Sequence, residues 1–337
     1  MQAIAKLTAA PGLNLVDVPE PSTGPGQVKI KLEAASVCGT DLHIYQWDAW
    51  SASRVRPPRV IGHEFCGTII EVGEGVAQDR IGEFVSSESH IVAPDSIWLA
   101  AGLGHLDPDT QLLGVDTDGG FAEFAVVPEA NARTTSRSIP KEIACFQDAL
   151  GNAVHTALAG PIEDCRVLIT GAGPIGLFAV AVCRAAGASE VIVSEISPYR
   201  RGLAEQLGAD VIVNPTDANV NEKIGTVDVA LEMSGNASAL ATAVDRLRAG
   251  GRLSLLGLHK DKLQPVPIND IIFKGLLVQG IVGRKLWETW YQMSLLLGSG
   301  LLNVAPVITH QMPFTEFEEA MSLMSAGQAG KVVFTFP

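Results

Sequence analysis

The sequence predicts an α/β protein in which a parallel-sheet domain is inserted into a β-rich domain. Three observations predict this fold class: short alternating strands at the N-terminal side, a strand–helix rhythm from residue 166 onward, and a return to short strands near the C-terminus. We place the β-rich domain at residues 1–150 and 292–337, and the parallel-sheet domain at residues 151–291.

The outer segments of the chain have the pattern of short, half-buried strands. Residues 28–32, Val-Lys-Ile-Lys-Leu, and residues 68–72, Thr-Ile-Ile-Glu-Val, are rich in β-branched side chains and lie between turn residues. The last such run, Lys-Val-Val-Phe at residues 331–334, almost ends the chain. These runs predict an irregular all-β domain built from both ends of the chain.

The middle of the chain alternates between apolar strands and helical stretches. The predicted strands are residues 167–170, 191–194, 211–213, 227–231, 253–256 and 276–279. Helices follow the first two strands as far as about residues 186 and 207, and another helix is predicted at 284–297. Because parallel strands need crossover helices, this rhythm predicts a doubly wound sheet with helices on both faces.

Composition limits the class of protein. The chain has 337 residues, of which 47% are hydrophobic, and this suits two domains with separate cores. A net charge of −13 without a basic run makes nucleic acids and anionic membranes poor partners. The five cysteines never have CxxC spacing, and neither a signal-peptide layout nor an apolar run of membrane-spanning length is present. We therefore expect a cytoplasmic enzyme with a small-molecule substrate.

Cys38 and His63 are residue types that bind zinc, and they come from separate segments of the chain. Structural zinc is usually held by four protein ligands, whereas catalytic zinc takes about three and keeps one position open. A third ligand would then come from elsewhere in the sequence. Buried cysteines and hydrogen-bonded histidines are also common in protein cores, so this pattern alone leaves both interpretations open.

Residues 171–176, Gly-Ala-Gly-Pro-Ile-Gly, lie between a predicted strand and a predicted helix, where a dinucleotide-binding motif belongs. Gly171 permits the tight turn, Gly173 lets the backbone approach a pyrophosphate, and Gly176 lets the helix pack on the sheet. The phosphates would bind at the helix N-terminus, where free N–H groups and the helix dipole favour anions. An ordinary glycine-rich turn is the alternative.

Glu195 ends the second predicted strand of this domain. A carboxylate at this position accepts hydrogen bonds from the ribose hydroxyls of NAD and repels the 2′-phosphate of NADP. Arg200 and Arg201 follow and would relax this preference by pairing with a phosphate, but the prediction is NAD. The predicted cofactor-binding residues are Gly171, Gly173, Pro174, Ile175, Gly176, Glu195, Arg200, Leu256, Gly257 and Ile281.

A family resemblance combines these features. Residues 62–67, Gly-His-Glu-Phe-Cys-Gly, with Gly73 and Val76 beyond them, match the signature of the zinc-containing medium-chain alcohol dehydrogenases. The chain resembles that superfamily over nearly its whole length. Residues 38–50, 150–158 and 283–291 add a narrower resemblance to the L-threonine 3-dehydrogenases within it. Long near-matches of this kind are far more specific than a glycine pattern.

The resemblance implies a GroES-like catalytic domain built from both chain ends, with a Rossmann domain between them. It also implies that Cys38 and His63 are ligands of a catalytic zinc ion. Glu64 would be a further ligand or an exchangeable partner of the metal. Asp148 stands where relatives place a Glu or Asp near the metal, and its shorter side chain leaves a direct bond and a water-mediated one both open.

The implied chemistry is zinc-assisted hydride transfer from a secondary alcohol to NAD. Thr40 would pass the released proton through the cofactor ribose to His43, because histidines exchange protons near neutral pH. His90 would lie in the substrate pocket and, with Glu64, completes the predicted catalytic set. The alternatives are a turn hydroxyl for Thr40 and loop histidines for His43 and His90. His155 is expected to pack at the start of a helix.

Relatives usually carry four cysteines after His90, which hold a second, structural zinc. Here Ala93, Ser96, Leu99 and Asp107 stand at those positions, so coordination by four sulfurs is impossible. We therefore expect one catalytic zinc per subunit and no structural zinc. The segment from Ala93 to Asp107 is called the lobe below. The side chains expected to pack it in place of a zinc ion, within the chain or against another subunit, are Ile97, Trp98, Leu99 and Leu103.

The expected reaction is oxidation of L-threonine to 2-amino-3-oxobutanoate. The alternatives are a polyol or vicinal diol, as in sorbitol- or butanediol-type enzymes, and an amino alcohol. A zinc-free NAD(P)H-binding protein with a redox-sensing or structural role is a different class, and the presence of Cys38, His63, Glu64 and Asp148 argues against it. A homotetramer is expected, with a dimer as the alternative.

Overall fold

The computed structural model describes residues 1–259 and 264–337, and it divides into two compact units. The first unit comprises Met1–Ala149 and Ile308–Pro337, and the second comprises Leu150–Val307. The chain therefore leaves the first unit, forms the second, and returns to the first.

The second junction lies later in the chain than residue 291, where the sequence analysis placed it. The helix predicted at residues 284–297 spans Glu288–Gly298 and belongs to the second unit. Its first turn is anchored there, because the backbone N–H of Lys285 donates to Oγ1 of Thr289 at 3.1 Å. Trp290 and Met293 on this helix are buried.

The first part of the chain forms strands and short helices. The strands are β1 (Gln2–Lys6), β2 (Asn14–Asp17), β3 (Gln27–Ser36), β4 (Arg59–Val60), β5 (Glu64–Val72), β6 (Phe84–Ser87), β7 (His90–Ile91), β8 (Gln111–Leu112), β9 (Phe124–Pro128) and β10 (Ala132–Thr134). The helices are α1 (Gly39–Gln46), α2 (Ala49–Arg54), α3 (Ile97–Ala100), α4 (Lys141–Ala144) and α5 (Gln147–Ala157). Single 3₁₀ turns are found at Gln78–Arg80, Gly104–Leu106 and Glu129–Asn131.

The remaining elements alternate regularly before the chain returns to the first unit. The strands are β11 (Arg166–Thr170), β12 (Glu190–Ser194), β13 (Val211–Val213), β14 (Val227–Glu232), β15 (Leu247–Leu255), β16 (Leu277–Gly280), β17 (Ile308–Pro313) and β18 (Lys331–Thr335). The helices are α6 (Pro174–Ala185), α7 (Pro198–Gln206), α8 (Val220–Ile224), α9 (Ala237–Arg246), α10 (Ile268–Lys274), α11 (Glu288–Gly298) and α12 (Phe317–Ser325). Further 3₁₀ turns are found at Ala305–Val307 and Phe314–Glu316.

The main sheet of the first unit has the strand order β10-β6-β5-β3-β18-β17, and β9 also pairs with β3. Two smaller sheets have the orders β2-β1-β4 and β7-β8. Ser36 on β3 lies opposite Glu64 on β5 and opposite Val333 on β18. Because β18 begins at Lys331, this pairing brings a C-terminal lysine close to Glu64.

The first unit has its own core beneath these sheets. The rings of Phe121 and Phe334 meet edge to face with their centroids 5.2 Å apart, and both are fully buried. Other fully buried members of this core are Ile4, Ile30, Ile44, Ile61, Phe65 and Ile69. This packing fixes the segments on either side of residues 62–64.

The second unit is built on a parallel sheet with the order β13-β12-β11-β14-β15-β16. Residues 167–170 on β11 are buried on both faces, as expected for a strand covered by helices on both sides. The strand order reverses between β11 and β14, and ligands of open α/β sheets bind outside the carboxyl ends of strands at such a point. The predicted fold class is confirmed.

The expectation for His155 is wrong, and one of the two alternatives for the lobe after His90 is excluded. His155 lies in the last turn of α5, not at a helix start, and its Nδ1 is 2.9 Å from the oxygen of Gly283. Within the chain, three of the apolar residues of the lobe after His90 do not pack it: Ile97 is 79% exposed, and Trp98 and Leu103 are also exposed. Packing of these side chains against another subunit stays a prediction. Helix α3 is a single turn, too short to bury an apolar face.

The lobe is instead held by polar contacts. The Ser96 hydroxyl accepts hydrogen bonds from the backbone N–H groups of Trp98 and Leu99 and donates one to the carboxylate of Asp107. This N-cap connects the start of α3 to the end of the lobe. In the described part of the chain, none of the helices has the length and apolar character needed to cross a lipid bilayer.

Candidate active site

The turn before β5 places His63 and Glu64 side by side. Gly62 has a φ of +92°, and a Cβ built there would lie 2.2 Å from Cδ1 of Phe121. Only glycine therefore fits this position. The oxygen of His63 accepts a hydrogen bond from the Ser87 hydroxyl at 2.8 Å, which fixes the chain after the turn.

Cys38 is the residue immediately before α1. Its backbone N–H donates to Oδ2 of Asp41 at 2.8 Å, so a side chain from the first turn of the helix holds the chain at Cys38. Ligand atoms of Cys38, His63 and Glu64 all lie within 4.8 Å of one another. The structure thus brings together three of the predicted metal residues from two separate segments.

Negative charge converges on this cluster. Burial raises the pKa of the Asp41 carboxyl to about 6. Burial alone would lower the pKa of His63, but the Cys38 sulfur and the Asp41 and Glu64 carboxylates raise it to about 10. In the metal-free chain a proton on His63 therefore balances part of this charge, and a metal ion would displace it.

The donor set fits a zinc ion. Within the described residues, Oε1 of Glu64 is buried and has no hydrogen-bond partner, whereas the likewise unpaired Nδ1 of His63 and Oδ1 of Asp41 lie 3.8 Å from each other. Buried polar atoms are nearly always paired, so the free carboxylate oxygen of Glu64 indicates a missing partner of positive charge. A sulfur, an imidazole nitrogen and a carboxylate oxygen suit zinc, and three protein ligands leave a position open for catalysis.

Asp148 is not part of this group. It lies in the first turn of α5 and is buried, but its Oδ1 accepts a hydrogen bond from the Ser89 backbone N–H at 2.9 Å. The three groups within 4.8 Å of one another do not include it among the described residues. Its short side chain is thus engaged with the backbone, and a role as direct ligand stays a proposal.

Thr40 and His43 both lie on α1, close to Cys38. Oγ1 of Thr40 is 3.8 Å from the Cys38 sulfur. The His43 side chain is 58% exposed, and its Nδ1 lies 2.7 Å from Oδ2 of Asp48. The helix therefore carries the Thr40 hydroxyl beside the group of Cys38, His63 and Glu64, and the His43 imidazole at the protein surface.

His90 begins β7 and is held by a buried acid. Its backbone N–H and its Nδ1 lie 2.8 Å and 2.9 Å from Oε1 of Glu88, a fully buried side chain. Asn131 donates from its amide to the backbone oxygens of Glu88 and His90. The ring of His90 therefore has a fixed orientation next to Ser89, whose N–H bonds Asp148.

The glycine-rich turn lies at the carboxyl end of β11. Gly171 has a φ of +86°, and a Cβ there would lie 2.9 Å from Cα of Ser234. A Cβ at Gly176 would lie 2.1 Å from the oxygen of Gly171. A Cβ at Gly173 would meet nothing within 4 Å. The chain's own packing thus requires the first and last glycines, whereas Gly173 borders open space.

Helix α6 begins in that space. Pro174 is its first residue and Ile175 its second, and no side chain of the described residues caps its N-terminus. Proline at this position costs no hydrogen bond, and the N–H groups that follow it point out of the helix start. Uncapped N–H groups beside open space form a cradle that fits a phosphate group.

A cavity of about 400 Å³ continues from this turn and is lined by Gly171, Gly173, Glu195 and Arg200 among others. Glu195 accepts hydrogen bonds from the N–H groups of Ala172 at 2.6 Å and Ser197 at 2.8 Å. Its carboxylate is therefore already joined to the glycine-rich turn. Within the described residues, the buried Nε of Arg200 has no hydrogen-bond partner.

Leu256, Gly257 and Ile281 lie just beyond β15 and β16. The N–H groups of Leu256 and Gly257 donate to the oxygen of Glu232 at 2.9 Å and 3.0 Å, and the N–H of Ile281 donates to the oxygen of Leu255 at 2.8 Å. All three residues follow the carboxyl ends of parallel strands, the edge of the sheet on which the glycine-rich turn lies.

Sequence reasoning missed three acids and bases of the site. Asp41 stands three residues after Cys38, and this capping-box spacing is a usable signal. No sequence motif marks Glu88 or Lys331 as part of the site. Glu88 is one acid among many, and Lys331 is separated from its partner Glu64 by 267 residues of sequence.

Comparison with known proteins agrees with this architecture. Residues 24–137 match the family model of the alcohol dehydrogenase GroES-like domain, and residues 174–299 match that of the zinc-binding dehydrogenases. The chain therefore belongs to the zinc-dependent medium-chain alcohol dehydrogenases, a class of NAD-linked oxidoreductases. It is 50% identical to the L-threonine 3-dehydrogenase of Pyrococcus abyssi, over 99% of this chain and 98% of that protein.

Solved structures of the same fold are similar over the whole chain. An Escherichia coli enzyme described as a short chain alcohol dehydrogenase, complexed with NADH, has a TM-score of 0.91 and 29% identity, with 100% of this chain and 99% of that chain covered. The 2R,3R-butanediol dehydrogenase of Bacillus subtilis has a TM-score of 0.88 and 26% identity, with 100% and 99% covered.

Proposed function

We propose that this chain oxidises L-threonine to 2-amino-3-oxobutanoate, with one zinc ion and NAD as cofactors. The cluster of Cys38, His63 and Glu64 carries the proposal, in a chain 50% identical to an L-threonine 3-dehydrogenase over 99% of its length. The C3 hydrogen of threonine leaves as hydride and the hydroxyl hydrogen leaves as a proton. Each threonine oxidised thus reduces one NAD and releases one proton.

Cys38, His63 and Glu64 would hold the zinc, with Asp148 as a further candidate. When bound, zinc polarises a hydroxyl group as a Lewis acid, and NAD accepts hydride at its nicotinamide ring. Oδ1 of Asp41 lies 3.8 Å from Nδ1 of His63, which supports Nε2 as the metal-binding nitrogen. One zinc per chain is proposed because Ser96 and Asp107, in the lobe without cysteines, are bonded to each other.

Thr40 and His43 would carry the proton away. Oγ1 of Thr40 lies near the Cys38 sulfur and would relay the proton, accepting that of the substrate hydroxyl while its own hydroxyl proton moves on towards His43. His43 would release it to water from Nε2, since its ring is exposed and its Nδ1 is engaged by Asp48. The positions of these two groups on one helix support a path from the cluster to solvent.

His90 would bind the polar groups of the substrate, and Glu88 would hold its ring in place. Threonine carries an ammonium and a carboxylate beside its hydroxyl, so its pocket needs oriented polar side chains. The hydrogen bonds from His90 to Oε1 of Glu88 at 2.8 Å and 2.9 Å support such an orienting role. Glu64 would act in the same pocket as a metal ligand or its exchangeable partner.

NAD would bind at the glycine-rich turn, with its pyrophosphate at the start of α6 and Glu195 at the adenosine ribose. The cavity lined by Gly173, Glu195 and Arg200 supports this placement. The carboxylate of Glu195 favours NAD over NADP. Leu256, Gly257 and Ile281, which follow the carboxyl ends of β15 and β16, would complete the cofactor site.

A vicinal diol is the second candidate substrate, with a polyol or amino alcohol behind it. The structural similarity to a butanediol dehydrogenase, at a TM-score of 0.88 and 26% identity, favours it specifically. A diol offers two neighbouring hydroxyl groups where threonine offers a hydroxyl and an ammonium. The two substrates therefore differ in charge, and a direct kinetic comparison separates them.

We propose that the protein assembles from identical subunits in the cytoplasm. β16 is an edge strand of its sheet, and its Leu277 and Val278 are exposed. Nearby on α10, Phe273 is 87% exposed. An uncovered apolar edge strand is a liability that a second copy would remove. All five cysteines are unpaired, which suits a reducing compartment.

The deciding experiment measures NADH formation from L-threonine, sorbitol, 2,3-butanediol and an amino alcohol, with and without a zinc chelator. We expect kcat/KM for threonine to exceed the others by at least about tenfold and the chelator to abolish activity. Cys38→Ser should lose both metal and activity, whereas Cys165→Ser should keep both. Retention of metal and activity in Cys38→Ser would disprove the zinc mechanism, and a preference for butanediol would select the second candidate.

A further inference from the structure

The ammonium group of Lys331 is buried against Glu64. Lys331 begins β18, is only 2% exposed, and forms an ion pair and hydrogen bond with Oε2 of Glu64. Its Nζ also lies 3.3 Å from the oxygen of Val37, the residue before Cys38. A C-terminal lysine thus lies directly behind the two segments that supply the metal-binding groups.

The two carboxylate oxygens of Glu64 differ in their surroundings. Oε2 accepts hydrogen bonds from both Lys331 and the Ser36 hydroxyl. Oε1 is buried and has no hydrogen-bond partner in the part of the chain that the structure describes. Oε2 is therefore held by the protein, while Oε1 remains available to a metal ion held by Cys38 and His63.

Lys331 also changes the balance of charge at the cluster. A buried carboxylate without a counter-ion would be strongly attracted to a zinc dication, because both charges are poorly solvated there. The ammonium already supplies Glu64 with a counter-ion and opposes a second cation nearby. The lysine therefore competes with the metal for the same carboxylate.

We propose that Lys331 is a positioning residue that restrains Glu64 and weakens its bond to the metal, so that a coordination position stays available to the substrate. The inference rests on the proposed function, since it assumes a zinc ion held by Cys38 and His63. It adds a residue from the far end of the chain to the set that controls how zinc is coordinated.

The test compares Lys331→Met with Lys331→Arg in the full-length protein. Removing the charge should tighten zinc binding by about tenfold, a typical size for changes behind the ligands, measured by competition with a chromophoric chelator. With Co²⁺ in place of zinc, the visible bands of Lys331→Met should weaken as Glu64 joins the ligand set and the coordination number rises. Lys331→Arg should restore the wild-type bands.

Two controls separate this role from a merely structural one. Lys6→Met removes another buried lysine of the same unit, whose ammonium bonds the backbone oxygens of Ala10 and Gly12, and it should leave the Co²⁺ bands unchanged. In a Glu64→Gln background, Lys331→Met should also leave the bands unchanged, because the carboxylate that would join the metal is gone.

If Lys331→Met does not fold, Ser36→Ala keeps the inference testable. It removes the second hydrogen bond to Oε2, so it should move the bands in the same direction by a smaller amount. Unchanged bands and unchanged zinc affinity in these variants, in a wild-type protein that binds one zinc through Cys38, would overturn the role of Lys331 alone. A wild-type protein that binds no zinc, or binds it without Cys38, would instead overturn the proposed function.

Discussion

Oδ2 of Asp48 lies 2.7 Å from Nδ1 of His43, and Oδ1 of the same carboxylate accepts a hydrogen bond from the Ser51 backbone N–H at 2.9 Å. Asp48 thus caps α2 and at the same time orients an exposed histidine at the end of α1. A carboxylate on Nδ1 fixes the proton there and leaves Nε2 as the nitrogen that exchanges protons with water. The helix cap is therefore part of the proposed proton path.

Asp48→Asn should slow turnover without unfolding the protein. Asparagine caps helices as well as aspartate does, so α2 should persist. The amide cannot stabilise a protonated His43, and we expect kcat to fall by about tenfold while KM for substrate and cofactor stays unchanged. Steady-state kinetics measures this effect, and added imidazole buffer should restore part of the rate.

The control for this change is Asp245→Asn, which removes an exposed carboxylate of the second unit that pairs with Arg246. It should leave kcat unchanged. A fall of KM and kcat together in Asp48→Asn, or the same loss in Asp245→Asn, would argue against a specific role for Asp48.

The contact between Ser96 and Asp107 predicts that the lobe stays folded without metal. Ser96→Ala removes both the cap of α3 and the hydrogen bond to Asp107, and it should destabilise the lobe by about 1–2 kcal/mol. Limited proteolysis should then cut within residues 93–107 faster than in the wild type. Chelators should not accelerate this cleavage in the wild type, and if they do, the lobe holds a metal ion after all.

Gly173→Ala should weaken NAD binding without a loss of stability. The Cβ of alanine would meet no protein atom within 4 Å, so the fold tolerates it. It would, however, occupy the space in which the pyrophosphate of NAD approaches the protein backbone. We expect the dissociation constant of NAD to rise by about tenfold, or 1.4 kcal/mol, in a fluorescence titration. The thermal midpoint should not fall.

Gly202→Ala provides the matched control. Gly202 lies inside α7, and its Cβ would also meet nothing within 4 Å. Alanine should stabilise this helix by about 0.5–1 kcal/mol and leave NAD affinity unchanged. Equal NAD affinities for the two variants would mean that the cofactor does not approach Gly173.

Local pattern explains why much of this site was predictable. The turn at 171–176 is one strand–glycine–helix unit, and Gly171 and Gly176 are required by contacts within that unit. The turn at 62–64 is similarly local, since Gly62 is the residue that lets His63 and Glu64 enter the first unit's core. In each of these turns, a few residues close together in the sequence determine the local structure, so the turn can be recognised from the sequence.

Contacts between distant segments explain what could not be predicted. Lys331 reaches Glu64 only because β18 and β5 both pair with β3, a register that no short motif encodes. The bond between Asp148 and the Ser89 N–H also joins distant segments, and among the described residues Asp148 lies outside the group of Cys38, His63 and Glu64 whose ligand atoms are within 4.8 Å of one another. Packing of the side chains around Ile97 within the chain was wrongly expected for a different reason: apolar composition indicates burial, but a one-turn helix buries little within its own chain.

Zinc should protect one cysteine from alkylation and leave another unaffected. Cys38 and Cys165 are partly exposed, whereas Cys66, Cys145 and Cys183 are buried. Burial raises the pKa of each of the three buried thiols and also that of Cys165, so exposure is what distinguishes Cys38 and Cys165 from the other three. In the zinc-free protein, iodoacetamide should therefore reach and modify Cys38 and Cys165.

If the Cys38 sulfur is a zinc ligand, as proposed, its alkylation should slow by about tenfold or more with zinc bound, while that of Cys165 should not change. Peptide mass spectrometry over a time course gives both rates from one sample, and Cys165 serves as the internal control. Because zinc also stabilises the fold, a general protective effect would slow both cysteines, whereas coordination slows only Cys38. An unchanged ratio of the two rates would therefore exclude Cys38 as a ligand, even if the protein binds zinc elsewhere.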